Sequence, residues 1–290
     1  MAKAKKAEVM FETPDVTEAE KAAMDVALVE GKKRDQAHGF RIPTDFVKLP
    51  SRGLIYPQDS SLYLAEEVEV KQMTASEEDI LTSRSLIRNG KAVDMVVSSC
   101  LVDKTIVVDD LLTGDKNAIL MALRVNAYGT DYKLDVTCPT CSEETKAHPF
   151  DLNSLEMKTL DIKPLEEGTN RFSYITESGI ELEFRFFTNG LVKQVTEEQS
   201  QIKRVSGQAV DKNITASLKT YIISIGGNKN KADIYRYVEI MPARDSRTLR
   251  RFIDENEPDL TMKQEFDCPH CGNTNEVDVP ISAEFFWPSS

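Results

Sequence analysis

Apolar and polar positions change period several times along this chain, and the changes divide it into elements. Tyr132-Lys133-Leu134-Asp135-Val136 and Lys263-Gln264-Glu265-Phe266-Asp267 alternate with the two-residue period of a half-buried strand. Each run leads into a turn, and His148-Pro149-Phe150-Asp151-Leu152 and Glu276-Val277-Asp278-Val279-Pro280-Ile281 read as the returning strands. The pattern predicts two hairpins that lie far apart in sequence. A third hairpin is predicted from Arg171-Phe172-Ser173-Tyr174-Ile175 and Ile180 to Phe186, joined by the turn Glu177-Ser178-Gly179. Leu62-Tyr63-Leu64 and Val68-Glu69-Val70 predict two short strands.

Helical spacing fills most of the remainder. Thr74 with Glu77 three positions on forms a capping box, and Glu78 and Asp79 complement the positive end of a helix that runs through Ile80, Leu81, Leu86 and Ile87 to Asn89-Gly90. A second helix is expected over Val93 to Val102, and a third through Ile119, Leu120, Leu123 and Val125 to Gly129. Beyond the third hairpin, helices are expected at 190–206, at 214–225 closed by Gly226-Gly227, at 232–240, and at 246–254 after Pro242. Residues 1–44 read as an arm with one helix starting at Thr17, whose stripe of Ala22, Ala23, Val26, Ala27 and Val29 buries little unless it docks on a partner. Leu49 to Pro57 holds two prolines and a glycine, which forbid a helix. It is either a rigid connector or a contact segment offering Arg52 and Tyr56.

Composition narrows the function classes. The chain has 290 residues, 40% of them hydrophobic, which suits ordinary globular domains. No apolar run reaches membrane-spanning length. Lys and Arg total 36 against 48 Asp and Glu, a formal charge of -12, which disfavours nucleic acid as a partner. The one basic cluster with helical spacing, Arg244, Arg247, Arg250 and Arg251, lies beside Asp245, Asp254, Glu255 and Glu257 and predicts a salt-bridged helix surface. With three histidines, no phosphate-cradling glycine loop and no nucleophile elbow, the chain offers little for catalysis, and no small-molecule substrate is expected.

The turns of the first two hairpins carry the chemistry. They read Cys138-Pro139-Thr140-Cys141 and Cys268-Pro269-His270-Cys271, and so use four of the five cysteines. Two cysteines three positions apart in a tight turn can aim both sulfurs at one ion, and two such turns complete a tetrahedral four-thiolate zinc shell. A redox dithiol belongs at a helix N-terminus, and a secreted disulfide scaffold needs a higher cysteine density; neither fits alternating strands in a chain with five cysteines. Cys138, Cys141, Cys268 and Cys271 are therefore the expected ligands of a structural zinc, closed to substrate. His148 and His270 are expected to be strand and turn residues, and Cys100 a small core residue.

Several of these segments occur in an order that resembles a known family. Leu49-Pro50-Ser51-Arg52-Gly53 precedes Lys71-Gln72-Met73-Thr74-Ala75-Ser76-Glu77-Glu78-Asp79-Ile80-Leu81. Gly114-Asp115-Lys116-Asn117-Ala118-Ile119-Leu120 and Tyr128-Gly129-Thr130-Asp131-Tyr132 follow, then the two cysteine pairs with Asp245-Ser246-Arg247 between them, and the closing Phe285-Phe286-Trp287-Pro288. Over residues 45 to 288 the chain resembles the baseplate hub and hub-assembly proteins of T-even-like contractile-tailed bacteriophages, with Lys116 where that family more usually has arginine. The resemblance implies a non-enzymatic role at the centre of a tail baseplate, through contacts with other baseplate or tail proteins; self-association is a candidate contact that the sequence leaves open. It places the chain in the virion tail or, during assembly, in the host cytoplasm.

The expected architecture is α+β: a helical domain joined to a split four-cysteine zinc ribbon that carries a long α+β insertion. The arm occupies 1–44, the extended segment and small bundle 45–131, the ribbon halves 132–153 and 262–284, the insertion 154–261, and an aromatic tail 285–290. Phe285, Phe286 and Trp287 either fold back on the ribbon or insertion, or anchor the chain in a pocket of a partner. Three functions follow: a hub subunit of the baseplate, an assembly chaperone absent from the mature virion, and, from another class, a zinc-ribbon protein that binds nucleic acid or transcription machinery.

Overall fold

The computed structural model describes residues 41–206, 213–279 and 283–286, in a mixed α+β arrangement. The arm helix expected from Thr17 and the Trp287 ring lie outside the described residues. The chain divides into Met1–Pro43 and Thr44–Ser290, and every element named below belongs to the second unit.

Strands β1 (Thr44–Lys48) and β2 (Glu67–Lys71) pair antiparallel with Val47 opposite Val68. Alternation turns Val47, Val68 and Val70 inward. The strand expected at Leu62 to Leu64 is instead part of the loop between them. There Arg52 N donates to Leu49 O, Leu64 N to Gly53 O and Ala65 N to Leu62 O, closing successive turns. Gly53 has φ +70, and a Cβ on it would lie 2.3 Å from Ala65 N, so the loop can close only around glycine.

Helix α1 (Ala75–Thr82) starts at the capping box. The Thr74 hydroxyl accepts from Ser76 N, and the Glu77 carboxylate accepts from Thr74 N at 2.8 Å. Burial raises the Glu77 pKa, but hydrogen bonds from Ser99 and Thr74 and the nearby Lys71 outweigh it and hold the carboxyl at about 2. The single helix expected to reach Asn89 breaks at Ser83, which is extended (φ -68, ψ 106), and resumes as α2 (Arg84–Arg88). The Thr82 hydroxyl donates back to the carbonyls of Glu78 and Asp79, a local bond that competes with helix continuation. Helix α3 (Ala92–Cys100) and helix α4 (Thr113–Tyr128) follow, the latter stopped by Gly129 at φ 81. Cys100 is fully buried, and burial pushes its thiol up to about 12.

The hairpins β3 (Asp131–Thr137) with β4 (Glu144–Asp151) and β10 (Lys263–Asp267) with β11 (Thr274–Asp278) form as the alternation requires. Between them, β5 (Met157–Lys158) pairs with β9 (Asp259–Leu260), which brings both ends of the intervening segment together. That segment holds the antiparallel sheet β6-β7-β8 (Phe172–Ile175, Glu181–Phe184, Ile222–Ile225). Its helices are α5 (Asn189–Ser206), α6 (Asn213–Tyr221), α7 (Lys231–Ile240) and α8 (Ala243–Asn256). The helix expected over 214–225 ends at Tyr221 because Ile222-Ile223-Ser224-Ile225 pairs with β7, and β-branched residues fit a half-buried sheet better than a helix. Gly114 packs against the chain before β9, where a Cβ would lie 2.0 Å from Pro258 O. One core runs from Leu81, Val96 and Ile119 through Phe184 and Leu249 to Phe266.

Candidate metal centre and the network around it

The two cysteine turns have matching backbones. Cys138 N donates to Glu143 O at 2.9 Å and Ser142 N to Cys138 O at 2.9 Å; Cys268 N donates to Asn273 O at 3.0 Å and Gly272 N to Cys268 O at 2.9 Å. The residue after each second cysteine takes positive φ, 62 at Ser142 and 71 at Gly272. Glycine adopts that conformation freely and serine does so under strain, so the β3-β4 turn is held by its surroundings.

These turns bring four sulfurs together. The Sγ atoms of Cys138, Cys141, Cys268 and Cys271 all lie within 4.8 Å of one another, with Cys138 to Cys271 at 3.8 Å and Cys141 to Cys268 at 3.7 Å. A disulfide needs a separation of about 2.05 Å, which none of these pairs approaches. A tetrahedral shell with metal-sulfur bonds of about 2.3 Å has edges of about 3.8 Å, which the two short pairs match. The amide of Cys141 is the main group pulling the Cys138 thiol down to about 6, against the effect of burial and with help from the Thr140 amide. The Glu143 amide also lowers Cys141, but burial and the three neighbouring thiols outweigh it and push that thiol up to about 12. Four thiols this close cannot all ionise unless a cation offsets their charge.

A side-chain bridge crosses from one turn to the other. Thr140 Oγ1 donates to Asn275 Oδ1 at 2.8 Å, and Asn275 Nδ2 donates to Cys138 Sγ at 3.6 Å. His148 stacks edge-on between Phe150 and Phe266, with centroids 4.8 and 4.9 Å away, and so packs the hairpins together. His270 is exposed. Neither histidine belongs to the four-sulfur group.

Of the candidate partner contacts, Arg52 lies at the surface, 51% exposed and 3.9 Å from Glu66. Tyr56 is in the core. Its hydroxyl donates to Asp115 Oδ2 at 2.5 Å and accepts from Leu112 N at 3.0 Å, while Asp115 also accepts from Ser51 N at 2.9 Å and Ser51 Oγ at 2.6 Å. The proline-punctuated segment is thus tied to the start of α4 by one buried carboxylate. Phe285 and Phe286 are also fully buried, with Phe285 5.1 Å from the Tyr132 ring and 5.6 Å from Phe286. Phe285 folds back on the start of β3 and Phe286 packs on Phe285, both buried, so in this conformation neither is offered to a partner.

What holds them is Arg124, which sequence reasoning missed. This guanidinium is fully buried on α4. Its Nε donates to Phe285 O at 2.9 Å, Nη1 to Gly129 O at 2.9 Å and Nη2 to Asp131 O at 3.3 Å. The rings of Tyr128, Tyr132 and Phe285 stand 5.2 to 5.9 Å from it. The available signal was an arginine set one position after Leu123 in an otherwise apolar stretch of helix.

The fold and site together define a mixed α+β protein whose distant hairpins meet at a four-cysteine cluster. Residues 44–287 match the family described as T4 bacteriophage base plate protein, and the chain belongs to that family. Comparison with curated proteins gives no match, and neither does comparison with solved structures. Among the described residues, no helix is long and apolar enough to cross a membrane.

Proposed function

We propose that the chain is a non-enzymatic structural or assembly protein of the central hub of a contractile-tail baseplate, and that Cys138, Cys141, Cys268 and Cys271 hold a structural zinc as the two halves of a split ribbon. The observation that carries the reading is the convergence of four sulfurs, from turns 127 to 133 residues apart, in a chain of a base plate family. Zinc supplies no chemistry to a substrate in such a set, because four protein thiolates fill its tetrahedral shell. Its binding energy instead holds β3-β4 against β10-β11 and closes the segment between them, so that the ion acts on folding. Function then lies on the surfaces so fixed, with other baseplate or tail proteins as partners and Arg52 and Trp287 as candidate contacts.

Mass spectrometry of purified virions, combined with deletion of the gene, tests this role. Peptides of this chain in particles that need it for tail assembly mark a hub subunit. Failed tail assembly without such peptides marks an assembly chaperone that leaves. Normal tails from the deletion would overturn both.

A further inference from the structure

Helix α8 presents the arginine cluster whose spacing predicts a salt-bridged surface, and the structure pairs only its ends. Arg244 meets Glu177, and Arg251 lies 3.8 Å from Glu255. Among the described residues, Arg247 and Arg250 have no ion pair, and Arg250 Nε is buried without a hydrogen-bond partner. Both side chains line a cleft of about 540 Å³, whose other walls include Ile214 and Tyr221 of α6 and Ile253 and Glu257 of α8 and its C-terminus. An N–H taken out of water without an acceptor is destabilising, and native folds keep few of them.

We propose that this cleft receives a carboxylate of a partner protein, an acidic side chain or a chain end, between Arg247 and Arg250. A guanidinium presents a planar fork that matches a carboxylate in two parallel hydrogen bonds. The local balance of charge sets the size of the ligand. Asp254 and Glu257 line the same cleft without reaching either arginine, and the chain as a whole carries -12. Such a field accepts a single carboxylate and repels the repeated phosphates of a nucleic acid. The half-exposed Ile214 adds an apolar wall, as the edge of a peptide site requires.

The inference rests on the chain working within a protein assembly, but its test needs no tail protein, so its failure would leave that reading standing. The probe is an N-acetylated, C-amidated peptide with a single glutamate, titrated into the full metal-replete chain, with a short single-stranded oligonucleotide as the competing class. Binding is read from the Arg Nε–H signals by NMR. The expected result is saturable binding of the peptide that moves the Arg250 signal, weakened about tenfold or more in Arg250→Met. The melting temperature of that variant should stay level or rise, because a buried N–H without an acceptor is removed. Arg247→Ala, an exposed position, should also weaken the peptide. No saturation, equal affinity in both variants, or tighter binding of the oligonucleotide would overturn the proposal. If Arg250→Met instead lowers the melting temperature, its arginine serves the fold, and unchanged peptide binding in Arg247→Ala then overturns the proposal.

Discussion

Removing the Asp115 carboxylate should release the loop that carries Arg52 from the start of α4. Three donors converge on it, Ser51 N, Ser51 Oγ and Tyr56 Oη, at 2.9, 2.6 and 2.5 Å, and none has access to bulk water. Asp115→Ala leaves all three without an acceptor. A stranded buried donor costs about 1–3 kcal/mol, and water entering the space left by the carboxylate recovers part of that, so the expected loss is about 4 kcal/mol. Tyr56→Phe removes one donor to Asp115 and the acceptor of Leu112 N, and should cost about 2 kcal/mol. Because the two residues share a hydrogen bond, the double variant should lose about 1.5 kcal/mol less than the sum of the singles. Urea denaturation of the metal-replete chain at neutral pH measures all three. A loss below about 1 kcal/mol for Asp115→Ala, or simple additivity, would refute the account of the loop.

Phe286→Ala should cost about 3–5 kcal/mol, and deletion of 285–290 more, since it also strips a carbonyl and a ring from the buried Arg124; thermal melts showing an unchanged fold with lost partner binding would contradict this. Burial raises the Glu257 pKa from 4.5 to about 7. A raised folded-state value means its contribution is present below pH 4.5 and is lost as pH rises through about 7, on the order of 2 kcal/mol after allowance for its partial exposure. Glu257→Gln should therefore flatten the decline of stability across that range, and an unaltered pH profile would count against the burial argument. Glu77 has the opposite sign: its folded-state pKa lies near 2, so its contribution is present above 4.5 and is lost as pH falls towards about 2. Acid denaturation of Glu77→Gln should lose that limb.

Elements governed by neighbouring residues were legible from sequence. The alternation flanking both cysteine turns, the capping box at Thr74 and Glu77, and the stop at Gly129 each depend on residues a few positions apart. The four-sulfur cluster was legible for a different reason: thiolate ligands come in recognisable pairs, and two pairs suggest each other across any length of chain. Readings failed where distant partners decide. Tyr56 sits in a segment without periodicity, and its partner Asp115 is 59 positions away, so the sequence left that segment open between a rigid connector and a contact. Ile222 to Ile225 kept helical spacing until β7 claimed it as a strand. Arg124 was missed because the carbonyls that satisfy it belong to Gly129, Asp131 and Phe285, the last of them 161 positions away.

The metal content of the intact chain bears most directly on the central claim, that one ion joins the two cysteine turns. Atomic absorption on metal-replete protein should find about one zinc per chain, lost when Cys138 and Cys271 are replaced by serine. A content well below one in the unaltered chain, or full retention in the serine variant, would contradict the clasp.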